Sequence, residues 1–79
     1  MTALLVDDLA QFIRRVDGDN TATPKALGEL ISNWIDGEGY EVPREDVIAF
    51  VERANPDKWV GAGRLAGLIV AEFGLDEEG

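Results

Sequence analysis

The segment DLAQFIRRVDGDNTATPKALGELI at residues 8–31 is followed, 38 positions later, by DVIAFVERANPDKWVGAGRLAGLI at residues 46–69. Seven of the 24 aligned positions are identical without a gap. The identical pairs are Asp8/Asp46, Phe12/Phe50, Arg15/Arg53, Asp19/Asp57, Leu27/Leu65, Leu30/Leu68 and Ile31/Ile69. Self-similarity at a fixed offset is typical of repeated structural units, so we predict an internal duplication. The alternative is that two amphipathic helix pairs of equal length look alike because both follow one apolar period.

Each repeat has the apolar periodicity of two helices separated by a polar loop. The apolar groups are Leu5, Leu9, Phe12, Ile13 and Val16; Leu27, Leu30, Ile31, Trp34 and Ile35; Val47, Phe50, Val51 and Ala54; and the segment Ala62–Phe73. Residues three or four positions apart lie on the same face of a helix. The sequence therefore predicts four short helices, each with one apolar face.

Residues at the helix ends support these assignments. Thr23 and Pro24 are typical of an N-cap and a first helical position, so they predict the start of the second helix. Gly37 is expected to end that helix in the left-handed conformation, and Gly74 to end the fourth. Pro43 predicts the start of the third helix.

No stretch of the sequence has the alternation of a convincing strand, so we predict an all-α fold. It consists of four short helices, arranged as two duplicated helix–loop–helix hairpins packed into one compact domain over residues 1–79. The first repeat spans about 4–37, a linker 37–42, the second repeat about 43–75, and an acidic tail 76–79. A single hairpin leaves its apolar faces exposed, so the two repeats should pack on each other.

Composition excludes several classes of function. The chain has 79 residues, 16 acidic and seven basic side chains, a net charge of −9, and neither histidine nor cysteine. The missing residue types exclude disulfides, thiol or imidazole catalysis and most zinc sites. We therefore expect a protein that is not an enzyme and uses no cofactor.

The net charge indicates the kind of partner, and the lack of signal-peptide features indicates the cellular compartment. A strongly negative chain disfavours nucleic acid and anionic membranes and favours a protein partner, in particular a basic one. The start of the sequence lacks the basic region of a signal peptide, and the most apolar stretch, 65–73, is too short to span a bilayer. We expect a cytoplasmic protein. The abundance of Ala, Gly, Asp, Glu, Val and Arg indicates a high-GC bacterium or its phage.

The first loop, DGDNTATPKALG at residues 17–28, resembles part of an EF-hand calcium-binding loop. In that register Asp17, Asp19 and Thr21 occupy the first, third and fifth ligand positions. The resemblance implies a degenerate calcium-binding pair. However, Ala22 stands where the motif has its glycine, and glycine stands where it has its bidentate glutamate. An interhelical turn that caps the next helix is therefore the favoured interpretation, and these three residues are weak metal candidates.

A helix-turn-helix nucleic-acid reader is the main alternative function. Segments 23–35 and 61–73 could each be a second helix after a turn. A recognition helix needs several polar and basic residues on its outer face. These segments offer Lys25 and Arg64 as their basic residues, which is a weak pattern for that role.

The candidate partner-binding residues are aromatic, apolar and small. Trp59 and Val60 lie in the second loop, where an indole either covers the end of the core or is exposed as a binding anchor. Tyr40 in the linker is a weaker candidate of the same kind. Gly63 and Gly67 share one face of the fourth helix, which permits close packing on the first repeat or, alternatively, a homodimer contact. We expect a small acidic interaction or regulatory domain.

Overall fold

Four helices make up the regular structure of the chain. The computed structural model describes residues 2–75, with side chains from residue 6 onward, so the predicted acidic tail at 76–79 lies outside the described residues. The helices are α1 (Thr2–Val16), α2 (Pro24–Gly37), α3 (Arg44–Ala54) and α4 (Ala62–Phe73). Residues 2–75 contain no strand. The predicted all-α class is confirmed.

Most of the predicted helix ends are correct. The Thr23 hydroxyl accepts a hydrogen bond from the Ala26 N–H at 3.1 Å, as an N-cap does, and Pro24 is the first residue of α2. Gly74 ends α4 with a φ of 62°, in the left-handed region. Helix α3 begins one residue later than predicted, with Pro43 as its N-cap.

Helix α2 ends at Gly37 as predicted, but the predicted left-handed conformation of Gly37 is wrong. Gly37 stays in the helix, and the left-handed residue is Gly39, with a φ of 95°. The Tyr40 N–H bonds to the Ile35 carbonyl at 3.2 Å and the Gly39 N–H to the Asp36 carbonyl at 3.1 Å. These two bonds satisfy the last carbonyls of the helix in the manner of a Schellman motif, which selects the second of the two nearby glycines.

Helix pairing occurs between the two helix–loop–helix units more than within them. Helix α2 packs along α3 and α1 packs along α4, whereas α1 with α2 and α3 with α4 share little contact. The fully buried apolar residues are Leu9, Ala10, Ile13, Leu27, Ile31, Ile35, Val47, Val51, Leu65, Ala66, Ile69, Val70 and Leu75. Neither unit buries its apolar faces alone, so the core depends on contacts between the two units.

Aromatic side chains fill the space between the helices of each unit. The Phe12 and Trp34 rings lie 6.1 Å apart, and the Phe50 and Phe73 rings lie 5.6 Å apart at an interplanar angle of 77°. Trp34, predicted in the core, is half-buried and packs against it. Such ring pairs stabilise a fold beyond their buried area.

Helices α2 and α3 approach each other closely at Gly28. A Cβ atom built there would lie 2.8 Å from the Ile48 Cα atom of α3, which is closer than packed atoms approach. At Gly67 of α4 a Cβ would meet nothing within 4 Å. The glycine that permits close packing between the repeats is therefore Gly28, whereas the predicted position Gly67 is open.

We expect Gly28→Ala to lower the free energy of unfolding by about 1–3 kcal/mol, because the new methyl group would force the α2 and α3 backbones apart. Urea denaturation measures this change. Gly67→Ala is the matched control, since it makes the same exchange inside a helix without a clash, and it should be neutral or stabilise by up to about 1 kcal/mol. Equal effects of the two substitutions would contradict the close packing at Gly28.

Candidate functional site

The α1–α2 and α3–α4 loops have the same local conformation. In the first, the Asp17 side-chain oxygen Oδ1 accepts from the Ala22 N–H at 2.9 Å. In the second, the Asn55 Oδ1 accepts from the Val60 N–H at 3.0 Å. Both donors and both acceptors are 38 residues apart. The two loops are therefore closed by equivalent side-chain bonds; common ancestry of the repeats stays a prediction.

A left-handed residue occupies the same place in each loop. Asn20 and Lys58 both have a φ of 60°. The Asn20 N–H bonds to the Asp17 carbonyl at 2.9 Å, and the Lys58 N–H to the Asn55 carbonyl at 3.2 Å. Asparagine adopts this conformation more readily than lysine does, so Lys58 needs other contacts to hold it there.

Two side-chain contacts join the loops to each other. The Asn20 side-chain amide donates to the Lys58 carbonyl oxygen at 3.0 Å. The Lys58 ammonium group in turn forms an ion pair with the Asp17 carboxylate. The Asp17 side chain is 3% exposed and that of Lys58 is 14% exposed, so water screens this pair little. The loops thus form one connected structure at one end of the helices.

Burial and hydrogen bonding act in opposite directions on the pKa of Asp17. Burial raises it, but the hydrogen bonds from Lys58 and from the Ala22 N–H, with the Lys58 charge, lower it to below its ordinary value of 3.8. A carboxyl whose folded pKa is lowered stabilises the fold above its unfolded pKa. That contribution is lost as the pH falls through the folded pKa.

We expect Asp17→Asn to lower the free energy of unfolding at pH 7 by about 1–3 kcal/mol, because it removes the charge that faces Lys58. The amide keeps the acceptor for Ala22, as Asn55 does in the second loop. Urea denaturation at pH 7, and at steps below about pH 4, measures the difference. It should shrink as Asp17 of the wild type becomes protonated.

Asp57→Asn, at an exposed position of the second loop, is the charge-matched control and should change stability by less than about 0.5 kcal/mol. A difference between wild type and Asp17→Asn that stays constant down to pH 2 would contradict the ion-pair account.

The weak metal candidates are engaged with protein groups. Both Asp17 oxygens have partners, Ala22 and Lys58, and the Thr21 hydroxyl donates to an Asp19 carboxylate oxygen at 2.9 Å. Across the part of the chain that the structure describes, no group of three or more His, Cys, Asp or Glu side chains is placed to hold a metal ion.

A cleft of about 290 Å³ opens between the two loops and the first turn of α4. The residues that line it include the polar side chains of Arg14, Asn55 and Lys58 and the loop residues Trp59, Val60 and Gly61. Trp59 is 89% exposed, so it does not cover the end of the core. Val60 is half-buried beside it. The cleft thus combines apolar surface with basic and amide groups and with the Asp17 carboxylate that is paired with Lys58.

The predicted partner-binding residues are only partly brought together. Trp59, Val60 and Gly63 lie at or beside the cleft, since Gly63 is in the first turn of α4. Gly67 lies one turn further along that helix. Tyr40 follows the C-terminal end of α2, the end remote from the loops, and packs half-buried against the core. The homodimer contact through Gly63 and Gly67 stays a prediction.

Sequence reasoning did not single out Arg14, Asn55 or Lys58 as site residues. One available signal was the repeat alignment itself, in which Arg14 stands opposite Glu52, a reversal of charge at an equivalent position. No pattern marked Lys58, because a lysine in a polar loop is ordinarily a solvated residue.

The exposed face of α4 contains Arg64, Leu68, Ala71 and Glu72. One basic and one acidic residue on this face do not make the basic stripe that a recognition helix presents to DNA.

No protein-family model, curated protein or solved structure matches this chain. Within residues 2–75, no helix has the length and apolar character needed to cross a membrane. The geometry of the loops and cleft is therefore the basis for assigning a function.

Proposed function

We propose that this protein is a non-catalytic interaction domain that binds a protein partner through Trp59. The observation that carries the proposal is an indole that is 89% exposed on a loop whose neighbouring residues are fixed. On one side, Lys58 is tied to Asp17 and Asn20 of the other loop. On the other side, the Val60 N–H is bonded to Asn55.

A fixed, exposed tryptophan is suited to binding for two reasons. Tryptophan is enriched among the few interface residues that contribute most of the binding energy. Moreover, a loop that is already ordered loses little conformational entropy when a partner docks, so more of the contact energy appears as affinity. The link between the loops, which does not bury Trp59, is consistent with such a role.

The charge distribution favours a basic partner. The chain has a net charge of −9, and acidic side chains such as Asp19, Asp36, Glu45 and Asp57 are exposed. A negative surface attracts a positively charged partner, raises the association rate and repels a second copy of the same chain. The proposal includes the cytoplasmic location that the sequence predicts.

Affinity capture with the tagged protein tests this function in a nuclease-treated lysate of the cell in which the protein occurs. We expect one protein to be retained, and Trp59→Ala to reduce its retention at least about 10-fold, as hot-spot truncations do. Thr21→Ala is the control, because Thr21 is the exposed residue at the equivalent place in the first loop.

Both variants should unfold within about 0.5 kcal/mol of the wild type, since the two side chains are exposed. A partner retained equally by Trp59→Ala would contradict the assignment of the anchor. A parallel capture without nuclease that retains nucleic acid, with nothing retained after nuclease treatment, would instead support the helix-turn-helix alternative.

A further inference from the structure

Helix α4 begins without the groups that usually satisfy a helix N-terminus. Its N-cap, Gly61, has no side chain, and its first turn contains no acidic residue. Within the described chain, the N–H groups of Ala62, Gly63 and Arg64 have no hydrogen-bond acceptor. At the equivalent place before α2, Thr23 supplies a hydroxyl. The first turn of α4 therefore presents free donors beside the cleft.

A guanidinium group lies at this same helix end. The Arg14 Nη2 atom is 3.5 Å from the position that a Cβ of Gly63 would take. No carboxylate of residues 6–75 forms an ion pair with Arg14. A cation at a helix N-terminus has the unfavourable sign, because that end has a partial positive charge. The equivalent position in the other repeat is Glu52, which has the favourable sign. Two positive groups thus lie close together here, and the one described carboxylate that lines the cleft, Asp17, is paired with Lys58 instead.

Asn55 provides a second, independent indication of a ligand. It is 2% exposed and lines the cleft, and its Oδ1 accepts from the Val60 N–H. Its Nδ2 donates to no acceptor in the part of the chain that is described. Every fully buried side-chain nitrogen and oxygen there does have a partner. The Nδ2 is consequently not fully buried, and Asn55 is one of the residues that line the cleft. An amide donor in this position favours an acceptor from outside the chain.

Apolar side chains also line the cleft. They include Trp59, Val60 and the fully buried Leu65. Donors and apolar surface therefore lie within one volume of about 290 Å³. A ligand that uses both needs an anionic group and an apolar group only a few bonds apart.

We propose that the cleft binds the C-terminal carboxylate of a partner chain whose last residue is apolar. The carboxylate lies between Arg14 and the first turn of α4, where a guanidinium and backbone N–H groups both donate to it. The last side chain packs against Trp59 and Val60. A chain end fits because its carboxylate and its side chain are attached to the same carbon atom.

Charged groups at the cleft and the net charge of the chain further restrict the chemical class of the partner. The buried Asp17 carboxylate also borders the cleft, so a singly charged carboxylate is repelled less than a doubly charged phosphoryl group. The net charge of −9 favours basic residues upstream of the chain end. This inference rests on the proposed function, and it specifies which part of the partner docks beside Trp59.

The test uses the peptide acetyl-Lys-Lys-Leu, with a free or an amidated C-terminus, added to isotopically labelled full-length protein. We expect the free acid to shift the backbone amide resonances of Ala62, Gly63 and Arg64, the Asn55 side-chain amide and the Trp59 indole. The amide should shift them at least about 10-fold less at the same concentration. Overall charge predicts the opposite order, because the amidated peptide is the more positive of the two.

Arg14→Gln should weaken binding of the free acid at least about 10-fold, whereas Arg15→Gln should leave it within about twofold. The two variants change the net charge equally at neighbouring exposed positions, and the Arg15 guanidinium lies over the Phe12 ring instead of in the cleft. Equal binding of acid and amide, or equal effects of the two variants, would overturn the inference. Shifts with inorganic phosphate but not with the free acid would also overturn it.

Failure of this test is distinguishable from failure of the proposed function. If neither peptide binds while capture of a partner still depends on Trp59, the interaction domain stands and the chain-end site is wrong. If the free acid binds through Arg14 but Trp59→Ala leaves capture unchanged, the chain-end site stands and the Trp59 anchor is wrong.

Discussion

The contact between Lys58 and Asp17 is the constraint on which the site depends. It joins two loops that are far apart in the sequence, and it holds a lysine in a left-handed conformation that few lysines adopt. Trp59 is the next residue, so this contact constrains the backbone from which its side chain projects. Because each helix packs mainly on a helix of the other unit, the loops are brought together by the same packing that forms the core.

The α1–α2 and α3–α4 loops have nearly the same structure, and the candidate site lies where their residues differ. The two loops are equivalent in their buried Asx residue and in their left-handed residue. The two units differ in residues that can contact a ligand. The second unit has tryptophan in place of the exposed Thr21 and glycine in place of the capping Thr23, and the first has Arg14 where the second has Glu52. In the proposed function, the first loop is structural and the second loop provides Trp59 for binding.

Local signals in the sequence were sufficient to predict the helices and most of their ends. Thr23, Pro24 and Gly74 act through their own conformational preferences, so their roles were visible without a structure. The left-handed residue after α2 was not, because Gly37 and Gly39 both permit that conformation and the hydrogen bonds made by the chain after the helix decide between them. An apolar stripe predicts that a face is buried but does not specify which helix covers it, so the pairing of α2 with α3 required the structure.

The candidate site could be predicted only in part, because the sequence does not specify which distant residues come into contact. The exposure of Trp59 was one of two alternatives that the sequence left open. The contacts of Arg14, Asn55 and Lys58 depend on groups elsewhere in the chain. Trp59 and Val60 were the residues of the cleft that the sequence marked as binding candidates, and the charge reversal at Arg14 was a further signal.

The central claim is that the linked loops hold Trp59 in a fixed position, and backbone ¹⁵N relaxation of Trp59 tests it most directly. We expect an order parameter close to that of the helices, about 0.85, and a clear fall in Lys58→Met, which keeps the length of the side chain but removes its charge. A wild-type order parameter below about 0.6, or no change in Lys58→Met, would contradict it.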